Sequence, residues 1–138
     1  MASYSDRFFN ICLTDGTRLI FKEFGGQNLL HIIRFTHQGH ETEEGIWIQE
    51  REILELCDIK TDFDRALANG SDWKYRFNDF ITIQWYTESE KLDLRYVHRT
   101  MDEQVFYSKN GVTLSKNAAK DMFTILQDHF TYSIKLLK

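Results

Sequence analysis
The chain has 138 residues, 42% hydrophobic and 14% aromatic, with a formal net charge of −4. That is a globular composition, long enough for one ordinary domain or two small modules sharing a core. No apolar run approaches the length that spans a bilayer, and residues 1–7 lack the basic flank and apolar segment of a secretory leader, so an intracellular, non-secreted protein is expected, nuclear or otherwise.

The first half reads as four strands and a helix. Phe8–Leu13 and Arg18–Phe24 flank Thr14-Asp15-Gly16-Thr17, and Asp-Gly between β-prone runs is a hairpin signal. Gly25-Gly26-Gln27-Asn28 turns the chain into Leu29–Thr36. A polar loop, His37–Glu44, then leads to a short strand Gly45–Ile48 and to a helix through Glu52–Cys57. Asp62–Ala68 reads as a further helical turn, closed by Asn69-Gly70.

The second half gives the same order. Trp73–Phe77 and Phe80–Tyr86 are joined at Asn78-Asp79, Lys91–Arg99 follows a turn at 87–90, and Val105–Tyr107 meets Val112–Leu114 across Lys109-Asn110-Gly111. A closing helix is capped by Ser115 and carries a 3.6-residue apolar stripe, Ala119, Met122, Phe123, Leu126, Phe130, Ile134 and Leu137.

Gly45-Ile46-Trp47-Ile48 and Gly111-Val112-Thr113-Leu114 stand sixty-six residues apart, and at that offset Ile53, Leu56 and Cys57 fall on Ala119, Met122 and Phe123. Ile32-Ile33-Arg34-Phe35 resembles Leu94-Arg95-Tyr96 if about five extra residues are placed in the second copy's loop, which pairs Arg34 with Arg95. A duplicated unit follows, residues 1–69 and 70–138. The expected fold class is α+β: two repeats of a four-stranded antiparallel sheet followed by a helix, forming an intramolecular pseudo-dimer with its helices packed together.

Four strands and a helix, with Lys22-Glu23-Phe24-Gly25-Gly26, Ile32-Ile33-Arg34-Phe35 and Gly45-Ile46-Trp47-Ile48 in that order, resemble the C-terminal domain of the positive cofactor four family of transcriptional coactivators. The resemblance implies a dimer whose helices pack together and whose strands present two grooves to single-stranded DNA, in transcription or repair. Here the two copies lie in one chain. The turn Gly25-Gly26-Gln27 is poorer in lysine than the family's, and a basic, serine-rich tail is lacking.

The residues support the same expectation on physical grounds. Single-strand binders need cations spaced along a groove for phosphates and aromatic faces for bases, each stack contributing roughly 1–3 kcal/mol. By the two-residue strand period Arg18, Lys22 and Phe24 share a face, with Arg34 on the next strand. In the second copy Lys74 and Arg76 alternate with aromatics, and Lys91, Arg95 and Arg99 share a face. Phe24, in a turn, and Trp85 are the candidate stacking aromatics, although core packing competes for Trp85 and for Trp47. The expected partners are single-stranded DNA or RNA, the transcription machinery and, beyond the intramolecular pseudo-dimer, further copies of the chain, with no membrane; the expected role is non-catalytic, in transcription or replication.

Charge supplies the rival reading. Residues 1–69 carry a net charge of −5 and residues 70–138 of +1, and nine acids lie between Glu41 and Asp64. That stretch could make the chain a protein-interaction module docking a basic partner. No enzyme, cofactor or metal site is expected. His37-x-x-His40-Glu41 reads as a solvated loop, no motif places Cys12 or Cys57 beside a histidine, and Gly25-Gly26 lacks the lysine and helix of a phosphate loop. Both cysteines sit in apolar patterns and are expected to be buried thiols.

Overall fold
Alternation at period two fixes which side chains each strand can bury, and the observed strands follow it. The structure, a computed structural model, describes residues 8–77 and 79–131. β1 (Phe9–Cys12), β2 (Thr17–Phe24), β3 (Gln27–Phe35) and β4 (Glu41–Gln49) form one antiparallel sheet in chain order. α1 (Glu50–Asp58) and α2 (Lys60–Asn69) follow. The second sheet repeats the order with β5 (Trp73–Arg76), β6 (Ile81–Tyr86), β7 (Lys91–Arg99) and β8 (Val105–Ser115), and α3 (Lys116–Leu126) runs on into a π-helical turn, Gln127–Thr131. The fold is therefore α+β with two repeats.

One face of each sheet enters a common core. Leu19, Phe21, Leu30, Ile32, Ile46 and Ile48 are buried in the first sheet, and Ile83, Trp85, Leu92, Leu94, Val112 and Leu114 in the second. Register makes the repeats comparable residue by residue. Leu30 pairs with Ile48 and Ile32 with Ile46, while Leu92 pairs with Leu114 and Leu94 with Val112. Ile33 then faces Gly45 as Arg95 faces Gly111. Immediately beyond, both repeats carry the same bulge: residues 42–44 stand opposite Arg34 alone, and residues 108–110 opposite Tyr96 alone.

Three sequence expectations change here. The counterpart of Arg34 is Tyr96 and that of Arg95 is Ile33, because the glycines and the bulges set the register. β4 begins at Glu41, within the expected loop, because Phe35 and Glu41 resume pairing past the bulge. Val105–Tyr107 and Val112–Leu114 belong to one continuous strand, β8, with Lys109-Asn110 in the bulge rather than in a turn.

The helices cross between repeats. Phe63 of α2 packs edge-on against Trp85 of the second sheet, with centroids 5.3 Å apart, and Phe130 packs edge-on against Phe21 of the first, at 4.9 Å. Phe21 and Trp85 hold equivalent places, since they pair with Leu30 and Leu92. α1 also reaches the second sheet, where Tyr75 donates to Glu55 Oε1 at 2.5 Å. The apolar stripes of α1 (Ile53, Leu56, Cys57) and α3 (Ala119, Met122, Phe123, Leu126) are buried, and the two helices touch. Ile134 and Leu137 of the expected stripe lie outside the described residues, as does Asn78 of the expected β5–β6 turn.

Local signals act as the sequence suggests. Asp15 Oδ1 accepts the Thr17 amide at 3.0 Å in the first hairpin, and Ser115 Oγ accepts the Ala118 amide at 3.2 Å at the start of α3. Gly70 ends α2 with φ of 62°, a left-handed conformation that suits glycine. Cys57 is buried, and burial, with Asp58 nearby, pushes its thiol up to about 11. Cys12 is exposed instead of buried, because it sits on the outward side of edge strand β1, where no described residue covers it.

Candidate nucleic-acid interface
The strand faces turned away from the helices carry most of the expected site residues. Pairing of Arg18 with Ile33, Lys22 with Leu29 and His31 with Trp47 puts these side chains on the outer face of the first sheet. Phe24 lies further along the same side of β2 and is 61% exposed. Trp47 is the centre of this face. His31 stacks flat on its indole at 3.7 Å and 9°, Phe24 approaches to 5.7 Å, and the Lys22 ammonium lies 5.7 Å from the ring centroid. At the far end the Arg18 guanidinium sits 4.4 Å over the Phe35 ring, on the wall of a cleft of about 710 Å³ shared with Thr36, His37 and Thr42.

Burial holds the His31 imidazole below its ordinary value of 6.5, and the Lys22 charge works in the same direction against the pull of Glu41. A neutral imidazole is therefore what stacks on Trp47 near pH 7. Gly45 lies beside it, and a Cβ there would come within 3.1 Å of His31 Nε2.

The second sheet turns a different chemistry outward. Lys74, Arg76, Lys91, Arg95 and Arg99 all lie on its outer side, as the two-residue period predicts. Lys74 donates to Tyr107 Oη at 2.8 Å and Gln84 donates to the same oxygen at 3.0 Å, while the Tyr86 hydroxyl bonds Gln84. The Lys74 bond draws the Tyr107 hydroxyl below its ordinary pKa. Arg76 is paired with Asp79 across the hairpin. Arg95 is fully occupied: it binds Asp93 through Nε at 3.0 Å and Nη2 at 2.8 Å, and its Nη1 donates to the Ser108 and Lys109 carbonyls at 3.1 and 3.0 Å, filling the bulge. Among the described residues, Arg18, Lys22, Lys74, Lys91 and Arg99 form no ion pair with an acid.

Two expected site residues lie elsewhere. Arg34 pairs with buried Thr17 and so points to the inner side, where it works as a joint between repeats. Its Nε meets Glu44 at 3.1 Å, its Nη1 donates to the Asp15 carbonyl at 3.3 Å, and its Nη2 donates to the Thr113 carbonyl of β8. Trp85 is 2% exposed in the core under Phe63, which leaves no ring face for a base. The aromatic that the sequence reading passed over is Trp47. Ile46 and Ile48 on either side of it point into the core, and strand alternation then sends Trp47 outward.

The acidic stretch is largely engaged within the chain. Glu50 accepts from Asn28 at 3.0 Å, Glu52 from the Gln49 amide at 3.2 Å and Glu55 from Tyr75, while Asp64 pairs with Lys60 and Asp62 with Arg65. His37 and His40 are exposed in the β3–β4 connection, and no group of three or more metal-ligating side chains occurs among the described residues. Among those residues no helix is long and apolar enough to cross a membrane. No family model, curated protein or solved structure matches the chain.

Proposed function
We propose that this chain binds single-stranded nucleic acid without catalysis, using the sheet faces turned away from the helices. The observation that carries the reading is the Trp47 platform: an outward indole backed by His31, bordered by Phe24 and flanked by Lys22. Stacked bases need such a plane, and phosphates need nearby cations without acidic partners. The resemblance to positive cofactor four coactivators favours the same reading and suggests a setting in transcription or replication. With a net charge of −4 the chain lacks a general attraction for duplex, so stacking has to carry a large share of the affinity.

Titration of a labelled oligothymidylate against salt tests this. Binding should weaken along a straight log–log line with salt and exceed duplex binding, and Phe24→Ala should cost roughly 1–3 kcal/mol if the ring stacks one base. Equal affinity for duplex and single strand, or no binding at low salt, would reject it in favour of a protein-docking module.

A further inference from the structure
Burial of Trp85 leaves the second face without the stacking aromatic that the sequence assigns to it, and two tyrosines stand there instead. Tyr86 and Tyr107 are on the outer side and are 43% and 51% exposed. A single side chain joins them: Gln84 Oε1 accepts from the Tyr86 hydroxyl, and Gln84 Nε2 donates to Tyr107 Oη at 3.0 Å. Lys74 donates to the same Tyr107 oxygen from edge strand β5, so the bonds run in series from Tyr86 through Gln84 and Tyr107 to Lys74.

The reach of Tyr107 fixes how its ring lies. Tyr107 belongs to β8 and Gln84 to β6, with β7 between them. Two strand spacings are about 10 Å. Side chains close such a gap by lying along the sheet, not by standing away from it. One side of the Tyr107 ring therefore faces the strands and the other faces solvent, with the Lys74 ammonium 5.5 Å from the centroid.

The charge around these rings is positive. Asp93 is the one acid on strands β5 to β8, and Arg95 and Thr113 occupy it. Asp79 in the hairpin is paired with Arg76, and Asp72, just before β5, accepts the Thr87 amide. Lys74 bonds a neutral hydroxyl and so keeps its charge. Lys91 stands opposite Tyr86, and Arg99 lies two residues beyond Val97, the cross-strand partner of Tyr107.

The first repeat has no such arrangement. By register Gln84 answers to Ile20, Tyr86 to Lys22 and Tyr107 to Glu41, so both the rings and the amide that joins them are lacking there. Trp47 in turn answers to Thr113.

Resting on the single-strand reading above, we infer that Tyr86 and Tyr107, held by Gln84, form a second base-stacking platform, with Lys74, Lys91 and Arg99 taking the adjoining phosphates. Its rings occupy positions that the first repeat fills with Lys22 and Glu41. Each face then stacks bases at its own place, and the two places are not related by the repeat. An exposed ring accepts any base, so this platform is indifferent to sequence.

The test uses the full chain and oligothymidylates about 16 nucleotides long, with 5-iodouracil in place of thymine so that ultraviolet light couples a base to the aromatic ring against it. Mass spectrometry should find crosslinks on Tyr86 and Tyr107 as well as on Trp47. Gln84→Leu should remove most of the tyrosine crosslinks and leave those on Trp47 and the melting temperature unchanged. Tyr107→Ala should weaken binding about tenfold, within the range for one lost stack. Lys74→Ala combined with Arg99→Ala should flatten the salt slope by about 1.4, or 0.7 for each of two lost phosphate contacts. Crosslinks confined to the first face, or parental affinity in both Tyr86→Ala and Tyr107→Ala, would overturn the second platform and leave single-strand binding standing. Loss of the Trp47 crosslinks together with the tyrosine ones in Gln84→Leu would overturn the positioning role of Gln84. Absence of any binding at low salt would instead remove the single-strand reading itself.

Discussion

Tyr96 and Trp47 join the two repeats through one hydrogen bond: the Trp47 amide on the edge of β4 donates to Tyr96 Oη at 2.8 Å. The equivalent residue in the other repeat does the equivalent work, since Arg34 donates to the carbonyl of Thr113 on the edge of β8. Asp15 Oδ2 completes the second joint by accepting the Ser115 amide at 3.0 Å. Sheet edges left open are templates for unwanted pairing, and here each bulge supplies the side chain that caps the other repeat's edge.

Tyr96→Phe removes only the hydroxyl and leaves the Trp47 amide without its acceptor at a partly buried place. The expected loss is about 1–3 kcal/mol in chemical denaturation, the range for an orphaned donor. A variant as stable as the parent would mean that water replaces the hydroxyl at no cost.

Gly111→Ala should be more damaging than Gly45→Ala. A Cβ on Gly111 would lie 2.6 Å from the Leu94 carbonyl oxygen and 2.8 Å from Arg95 Cα, so the backbone of β7 has to move. At Gly45 the nearest atoms are side-chain atoms of His31 and Ile33 at 3.1 Å, which can shift. Overpacking of this kind costs about 1–3 kcal/mol, and thermal melting of the two variants should rank them in that order.

Phe63→Ala should cost about 3–5 kcal/mol, as truncation of a buried aromatic does. Because its ring lies against Trp73, Trp85 and Phe123, the loss should appear in the second sheet as well as in α2. Hydrogen exchange reads this directly: faster exchange in β5–β6 is expected, and protection unchanged there would contradict the crossing of helices between repeats. Met122→Asp, placing an unpaired charge in the core between the helices, should cost several kcal/mol.

The His31 imidazole sets the pH dependence expected on the acid side. Its folded pKa lies below the ordinary 6.5, so the unfolded chain takes up the proton first as pH falls. Stability should therefore decline as pH drops through about 6.5, and His31→Gln should flatten that decline. Melting temperatures followed from about pH 7 to pH 5 check it, with a profile identical in the variant counting against the assignment.

The sequence by itself determined the repeat, the order of strands and helices, the Asp15-Gly16 hairpin, the Ser115 cap and the apolar stripes of the helices. These are local properties, in which alternation, turn chemistry and capping act within a few residues. It also held enough to place Lys22, Phe24, Lys74 and Lys91 outward, because parity along one strand is a local property too. Only the tertiary structure decided that Arg34 and Arg95 are not counterparts. A one-residue difference in register reverses a side chain's face, and the register is set by glycines and bulges on a partner strand. Trp47 and Trp85 are separated by strand parity, Trp47 outward between buried Ile46 and Ile48 and Trp85 inward opposite Leu92; what the tertiary structure added is that Phe63, from the other repeat's helix, is the residue that covers Trp85. That crossing of helices is a long-range choice: each sheet's apolar face accepts any complementary stripe, and the connection lengths and joint packing of both repeats select which one covers it.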